Sequence, residues 1–442
     1  MSTQREPSEA DILRPIHNTS IWWFAAIGVA GLGTTIWAIG YLWQLYHGMA
    51  VTGLSDWGSG GGVTWGLYIG LFIWWVGIAH GGIILSAAVR LLGMDRYQPV
   101  ARLAELLTIG ALSMAGLMIL VHTGRPDRLV WSVVLAYPST VHSSPLVWDV
   151  TVITLYFVLT ATYLALTLRY DVTRLRDDLP NMFEPLYKVI TLGYSREEDP
   201  IVERIVWWLA LAIIILAPLL LHGGVIPWLF QLMPSMPGWY DSVQGPQFLT
   251  IALSSAISGV IILSYVMRAR YDWYHLLSDH VLRGLTNWLG LFVLLFLWLQ
   301  LQQVITGVFA PPISVGAVTS AMLAHPVYIY AIGLSVLILA YIFATTLRPG
   351  LWTPLRAVAI SAGILSATLL EKVLFLVEGL QYAGFSLYAG IPGAYWPSFV
   401  EMGAFLGTVS MITMFFLIVT KVFPVIELHA VEAHHHDEEV AD

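Results

Sequence analysis

Apolar residues fall into ten runs of about 20 residues each, separated by short polar stretches. The runs lie at 21–46, 63–89, 103–121, 146–168, 205–225, 247–267, 284–305, 326–346, 357–376 and 399–420. At 1.5 Å of rise per helical residue, each is long enough to cross a hydrocarbon core about 30 Å thick. Lipid offers nothing to satisfy an open backbone, so the runs must be helices. The pattern therefore predicts an all-α integral membrane protein with ten transmembrane helices.

The polar stretches give the orientation. With the N-terminus in the cytoplasm, 17 of the 20 Lys and Arg residues face inward, and only Arg125 and Arg128 face outward. That bias predicts cytoplasmic N- and C-termini and a place in the cytoplasmic (inner) membrane. A repeat is also legible. His80 to Arg90 (HGGIILSAAVR) and Ser258 to Arg268 (SGVIILSYVMR) agree at six of eleven positions, at an offset of 178. Two parallel four-helix bundles are expected, with two flanking helices. The division is a cytoplasmic segment 1–20, a first flanking helix and loop 21–62, a first unit 63–225, a second unit 226–376, an outer loop and last helix 377–420, and an acidic, His-bearing tail 421–442.

Composition narrows the function. With 57% hydrophobic and 11% charged residues, the chain is no soluble enzyme. The absence of Cys excludes a disulfide framework, a thiolate zinc site, a cysteine-held iron–sulfur cluster and thioether-attached haem. The net charge of -8 resides largely in acidic tails and gives no reason to expect nucleic acid as a partner. The N-terminus has no apolar leader, so no removable signal is expected. The run Gly58 to Val63 (GSGGGV) lacks the Lys-Ser/Thr of a phosphate loop and reads as a linker at the membrane edge. Outer loops at 233–247, 309–326 and 378–397 are rich in Gly, Pro, Trp and Tyr, which suits an aromatic belt or a platform for another protein.

Ionisable groups at membrane depth are costly, so each is a candidate for function. The richest set lies between the third and fourth spans: His122, Arg125, Asp127, Arg128, Tyr137, His142 and Asp149. His122 ends one span and Asp149 sits one turn inside the next, so a helical hairpin would bring both to the outer edge of the bilayer. Quinol oxidation suits such a place, because a lipid-soluble donor must lose two electrons and two protons there. Imidazole and a buried carboxylate are suitable proton acceptors. The expected catalytic pair is His122 and Asp149, with His80, Arg125, Tyr137 and His142 as quinone-binding groups. Arg125 and Arg128 break the orientation rule and are expected to pair with Asp127, Asp149 or an acidic partner. Glu371, Lys372 and Glu401 form a candidate proton route. Glu371 and Lys372, being adjacent on a helix, are expected to point to different faces and need separate partners.

The stretch from Trp74 to Pro138, with its HTGRP at His122 to Pro126, and the SSPLVWD from Ser143 to Asp149 resemble the NrfD/PsrC family, the membrane subunits of polysulfide-reductase-type complexes. DILRPI at Asp11 to Ile16 and YWPSFVE at Tyr395 to Glu401 resemble its ten-helix branch, the ActC-type subunit of alternative complex III. The resemblance implies a quinone-binding subunit without intrinsic haem or iron–sulfur cluster, with menaquinone or ubiquinone as bound substrate. It also implies an iron–sulfur subunit docked on the outer face. Multihaem cytochrome c or molybdopterin subunits and a homologous membrane subunit would accompany it. On this resemblance the quinone-site His and Asp fall on His122 and Asp149, with His80 as the second-span His. Two other classes remain open on the residues alone. One is a b-haem anchor, with His122 and His222 late in outward-running spans as axial ligands; the other is a secondary ion transporter, since parallel repeats also occur there.

Overall fold

The computed structural model describes residues 8–54, 63–217, 230–231, 236–241, 243–309, 311, 313–381 and 395–428. Among them, ten helices are long and apolar enough to span a membrane. We label them α1 (Ile21–His47), α2 (Leu67–Leu91), α3 (Gln98–His122), α4 (Pro145–Arg174), α5 (Asp199–Ala217), α6 (Gln244–Tyr271), α7 (Asp279–Val308), α8 (Pro326–Leu347), α9 (Pro354–Gln381) and α10 (Phe399–Val419). The hydropathy pattern locates all ten. Several ends run further, α4 to Arg174, α6 to Tyr271 and α7 from Asp279, because polar residues at the headgroup boundary continue the helix beyond the apolar run.

Burial identifies the centre. α2 is buried along most of its length, whereas α1 exposes Ile21, Phe24, Val29, Leu32 and Ile39. In a bilayer such exposed aliphatic faces meet lipid tails, so exposure there carries no penalty. α2 packs on α3 and α5 on one side and on α6 and α9 on the other. α3 and α4 pack together, as do α4 and α5, while α6 to α9 make their own mutual contacts. α1 pairs with α10, and α10 leans on α2 and α3.

Glycine permits this crowding on α2. A side chain at Gly81 would strike Ala252 and Ala256 of α6, and one at Gly82 would strike Thr108 and Ala104 of α3. The adjacent pair thus lets two different helices approach the same turn. The repeated sequences at His80 and Ser258 lie on α2 and α6, which touch along this seam.

The end of the molecule away from His122 is closed by the chain termini. The short helix Glu9–His17 packs beneath α6 and α10: Arg14 donates to Tyr271 O at 2.9 Å and pairs with Asp11 at 2.8 Å. Lys421 donates to Asn18 O at 2.9 Å. After α10, the chain turns under the first four helices and delivers Glu427 to Arg90 at 3.0 Å and to Arg102 at 3.8 Å. Arg102 of α3 is fully buried and ion-paired to equally buried Asp171 of α4.

Breaking one partner of a buried pair leaves an uncompensated charge, whereas removing both does not. Asp171→Ala should therefore destabilise the protein by roughly 3–5 kcal/mol, and Arg102→Met with Asp171→Leu by less. Thermal unfolding of the purified variants measures the difference.

Candidate functional site

The HTGRP motif is a helix terminator. α3 ends at His122, Gly124 takes a left-handed φ of 64°, and Pro126 opens the short helix Pro126–Val130. Gly at such a φ costs nothing sterically, and Pro at the first helical position loses no needed donor. The SPLVWD motif is a helix start. Ser144 accepts from Val147 N at 3.4 Å as N-cap, Pro145 begins α4, and Asp149 follows in the first turn and a half. The two motifs thus put a histidine at one helix end and a carboxylate at the neighbouring helix start.

His122 is buried, and its Nδ1 lies 3.1 Å from Met118 O. A carbonyl can only accept, so Nδ1 carries the proton and the ring lone pair sits on Nε2. That is the tautomer of a base. The carbonyl of the preceding Val121 receives the Gln44 amide of α1 at 2.9 Å, while Gln44 Oε1 accepts from Tyr68 OH at 2.5 Å. The end of α3 is therefore pinned to α1 and α2. The Trp65 ring meets His122 edge-on at 6.4 Å and stacks on Trp239 at 6.0 Å. Trp239 in turn donates to Phe375 O at 3.2 Å on α9. This aromatic wall is absent from the sequence expectations. Its signal, Trp65 just before α2, is indistinguishable in sequence from an ordinary belt tryptophan.

Asp149 is 1% exposed and its Oδ1 has no hydrogen-bond partner. No hydrogen bond or ion pair joins it to His122 among the described residues. Tyr137 lies next to this helix, its hydroxyl accepting from Thr151 at 3.1 Å. Arg125 takes Asp127 of the same loop, with Nε to Oδ1 at 2.9 Å and the outer nitrogen to Oδ2 at 2.8 Å. Both side chains are exposed, as are Arg128 and His142. Of the partners expected for Arg125, Asp127 is the one found. Hydrogen bonds from Arg125 hold Asp127 down at about 2, so it stays ionised at neutral pH and is no proton acceptor there.

Inward from Asp149, α4 carries a polar stripe: Tyr156, Thr160, Tyr163, Thr167 and Asp171. The spacings of three, four and seven place these residues on one face. The stripe faces α2 and α3. The His80 ring lies 4.3 Å from that of Tyr156, Tyr163 OH receives Arg90 at 3.0 Å, and Thr167 reaches Glu105 at 3.5 Å. Ser86 donates to the other oxygen of Glu105 at 2.6 Å. His80 thus sits deep, about seven residues or 10 Å inward of Asp149 along α4. Glu105 and Asp171 were not among the sequence candidates, although both are acidic residues in or at the edge of apolar runs and carried the needed signal.

One expectation needs correction. Glu371 and Lys372 do not take separate partners: Lys372 Nζ lies 2.9 Å from Glu371 Oε2. The long Lys stem bends back along its own helix, bringing together two groups whose Cα–Cβ bonds diverge. Glu401 serves as a helix cap. It accepts from Ser398 N at 2.9 Å, Gly53 N at 2.7 Å and Tyr395 OH at 2.8 Å, closing a capping box at the start of α10. The haem alternative cannot be placed, because His222 lies outside the described residues, as do the linker at 58–62, the tail histidines 434–436 and most of the loop at 378–397.

The Glu401 cap yields a prediction. Glu401→Ala strands these half-buried donors, and charge-assisted bonds contribute about 1.5–3 kcal/mol each, so the unfolding midpoint should fall. Equilibrium binding of a quinone analogue should be unaffected.

Comparison with known proteins agrees with this architecture. The chain is 29% identical over 409 residues to a protein of Halobacterium salinarum provisionally named as a membrane subunit of dimethyl sulfoxide reductase, covering 88% of this chain and 86% of that protein. It is 23% identical over 444 residues to the Hdr-like menaquinol oxidoreductase integral membrane subunit of Archaeoglobus fulgidus, covering 95% and 98%. It is also 23% identical over 308 residues to a selenate reductase subunit of Mesobacillus selenatarsenatis, covering 68% and 67%. Residues 57–383 match the family model described as polysulphide reductase, NrfD, and the chain belongs to that family of membrane subunits.

Proposed function

We propose that this chain is the quinone-handling membrane subunit of a multi-subunit oxidoreductase. Quinol is oxidised at the His122–Asp149 end of α3 and α4, and its electrons leave to an iron–sulfur subunit docked over that face. The observation that carries the reading is Asp149, a buried carboxylate whose Oδ1 has no partner among the described residues, placed at the head of a polar stripe on a membrane-spanning helix. A buried acceptor left empty costs free energy, and a quinol hydroxyl would fill it. The names of the relatives, among them a menaquinol oxidoreductase subunit, support the same class of substrate.

Oxidation of the quinol to the quinone removes two electrons and two protons. Asp149 is suited to accept one hydroxyl proton. His122, with its lone pair fixed on Nε2 by the Met118 bond, is suited to accept the other. Trp65 supplies a flat apolar wall beside the imidazole. We assign Tyr137 to positioning α4 through Thr151, and Arg125 with Asp127 to the surface that meets the partner subunit. The stripe from Tyr156 to Asp171 is the route we assign to protons moving between the pocket and the opposite membrane face. The positive-inside bias supports the cytoplasm as that face.

Asp149→Asn and His122→Ala should each abolish quinol-dependent reduction of the partner while the complex still assembles. Stopped-flow reduction of the partner's redox centres by a short-chain quinol measures this. Full turnover in both variants overturns the site assignment. Arg125→Ala should instead weaken binding of the partner subunit, measured as dissociation of the complex with rising salt, and leave quinone-analogue affinity as it was.

A further inference from the structure

The repeat offset of 178 carries His122 to Gln300, and Asp149 to the residue before Tyr328. The second half of the molecule therefore has a counterpart of the first pocket, and it is built differently. Tyr328 OH of α8 donates to Gln300 Oε1 of α7 at 3.3 Å, and Gln300 Nε2 donates to Glu371 Oε1 of α9 at 3.1 Å. The other Glu371 oxygen holds Lys372 at 2.9 Å, and the ammonium lies 3.7 Å from the centre of the Phe248 ring on α6. Glutamine thus replaces the base, and a charge pair fills the space.

A pair of this kind is expensive in a membrane interior. Lys372 is fully buried and Glu371 is 6% exposed. Replacing such a pair with apolar side chains is often neutral or stabilising, so stability alone gives no reason to keep it. Among the described residues, no other ion pair reaches it: α6 offers Phe248, α7 offers Gln300, and α8 offers Tyr328, whose hydroxyl bonds to Gln300. The acidic group nearest along α9 itself is Glu378, two turns nearer the His122 end.

Buried polar groups extend from the pair in both directions. Towards the His122 end stand Glu378, whose Oε2 has no partner, and Gln244, whose amide has none at either atom. Towards the opposite end, Thr368 accepts from Ser255 at 3.0 Å and from Trp74 at 3.2 Å. Beyond it come Ser258 of α6 and Ser361 of α9, both fully buried and with hydroxyls that find no partner among the described residues. Hydroxyls left open in an apolar interior are places for bridging water. Ser361 is seven residues from Thr368 and shares its face of α9, and Ser258 is one turn from Ser255 on α6.

We propose that Glu371 and Lys372 form a proton-exchange site in the second unit, in the place that the first unit uses for its substrate. The Glu371 carboxylate takes one proton through Ser361, Ser258 and Thr368 and becomes a neutral acid. Lys372 keeps its own proton and remains against the Phe248 ring. Release of the Glu371 proton towards Glu378 restores the ion pair. The site itself stands without the quinone reading, which it needs only for the source of driving force.

The test has two arms, both on the assembled complex. In the first, infrared difference spectra are recorded across a pH jump without quinol. A protonated-carboxyl band should appear in the wild type, shift in Glu371→Asp, vanish in Glu371→Gln and persist in Asp149→Asn. A Glu371→Gln spectrum identical to the wild type overturns the proposal, whatever the substrate of the first unit is. In the second arm, Glu371→Gln with Lys372→Met, which leaves no unpaired charge, is placed in proteoliposomes. Quinol oxidation should continue while the number of protons moved per electron falls. An unchanged ratio, or loss of quinol oxidation in an assembled double variant, also overturns the proposal. The quinone reading fails separately, through full turnover of Asp149→Asn and His122→Ala.

Discussion

Hydrocarbon supplies no hydrogen-bond partner, and that single constraint sorts the side chains of this protein. Polar groups inside the spans either bond back to their own helix, as Thr34 and Thr413 do, or turn towards another helix, as Gln44, Ser86, Arg102 and Gln300 do. The second group concentrates in the two halves of the molecule on either side of α2. Apolar faces of α1 and α8 are left to the lipid. The few polar atoms that satisfy neither condition then become informative, because each represents free energy forgone.

α2 makes this arrangement geometrically feasible. Its adjacent Gly81 and Gly82 admit α6 and α3 at nearly the same height, so His80 beside them is surrounded by protein rather than lipid. The tryptophans extend the connection. Trp74 reaches Thr368 of α9, while Trp65 stacks on Trp239, which in turn holds α9 through two carbonyls. The two halves of the repeat are therefore mechanically joined at the level of both candidate sites. A displacement in one is felt by the packing of the other.

Sequence made the ten helices legible because the membrane imposes a length and a composition on each. It made the end of α3 at His122 and the start of α4 before Asp149 legible because a helix terminator and a helix start leave local signatures. Groups brought together from distant parts of the chain were harder to see. Glu427 meets Arg90 across 337 residues, and nothing local to either announces the contact. Glu371 and Lys372 failed for the opposite reason: helical geometry separates neighbouring Cβ atoms, but a four-carbon stem can undo that separation. The capping contacts of Glu401 were hidden for the same reason as Glu427, since its donors at Gly53 and Leu67 lie more than three hundred residues away.

The segment after α10 bears on biogenesis. Arg90 is synthesised 337 residues before Glu427, the carboxylate it pairs with. The first unit can thus insert early, yet its seal at the Arg90 end waits for Glu427. Tyr163, only 73 residues on, is the partner that reaches the guanidinium sooner.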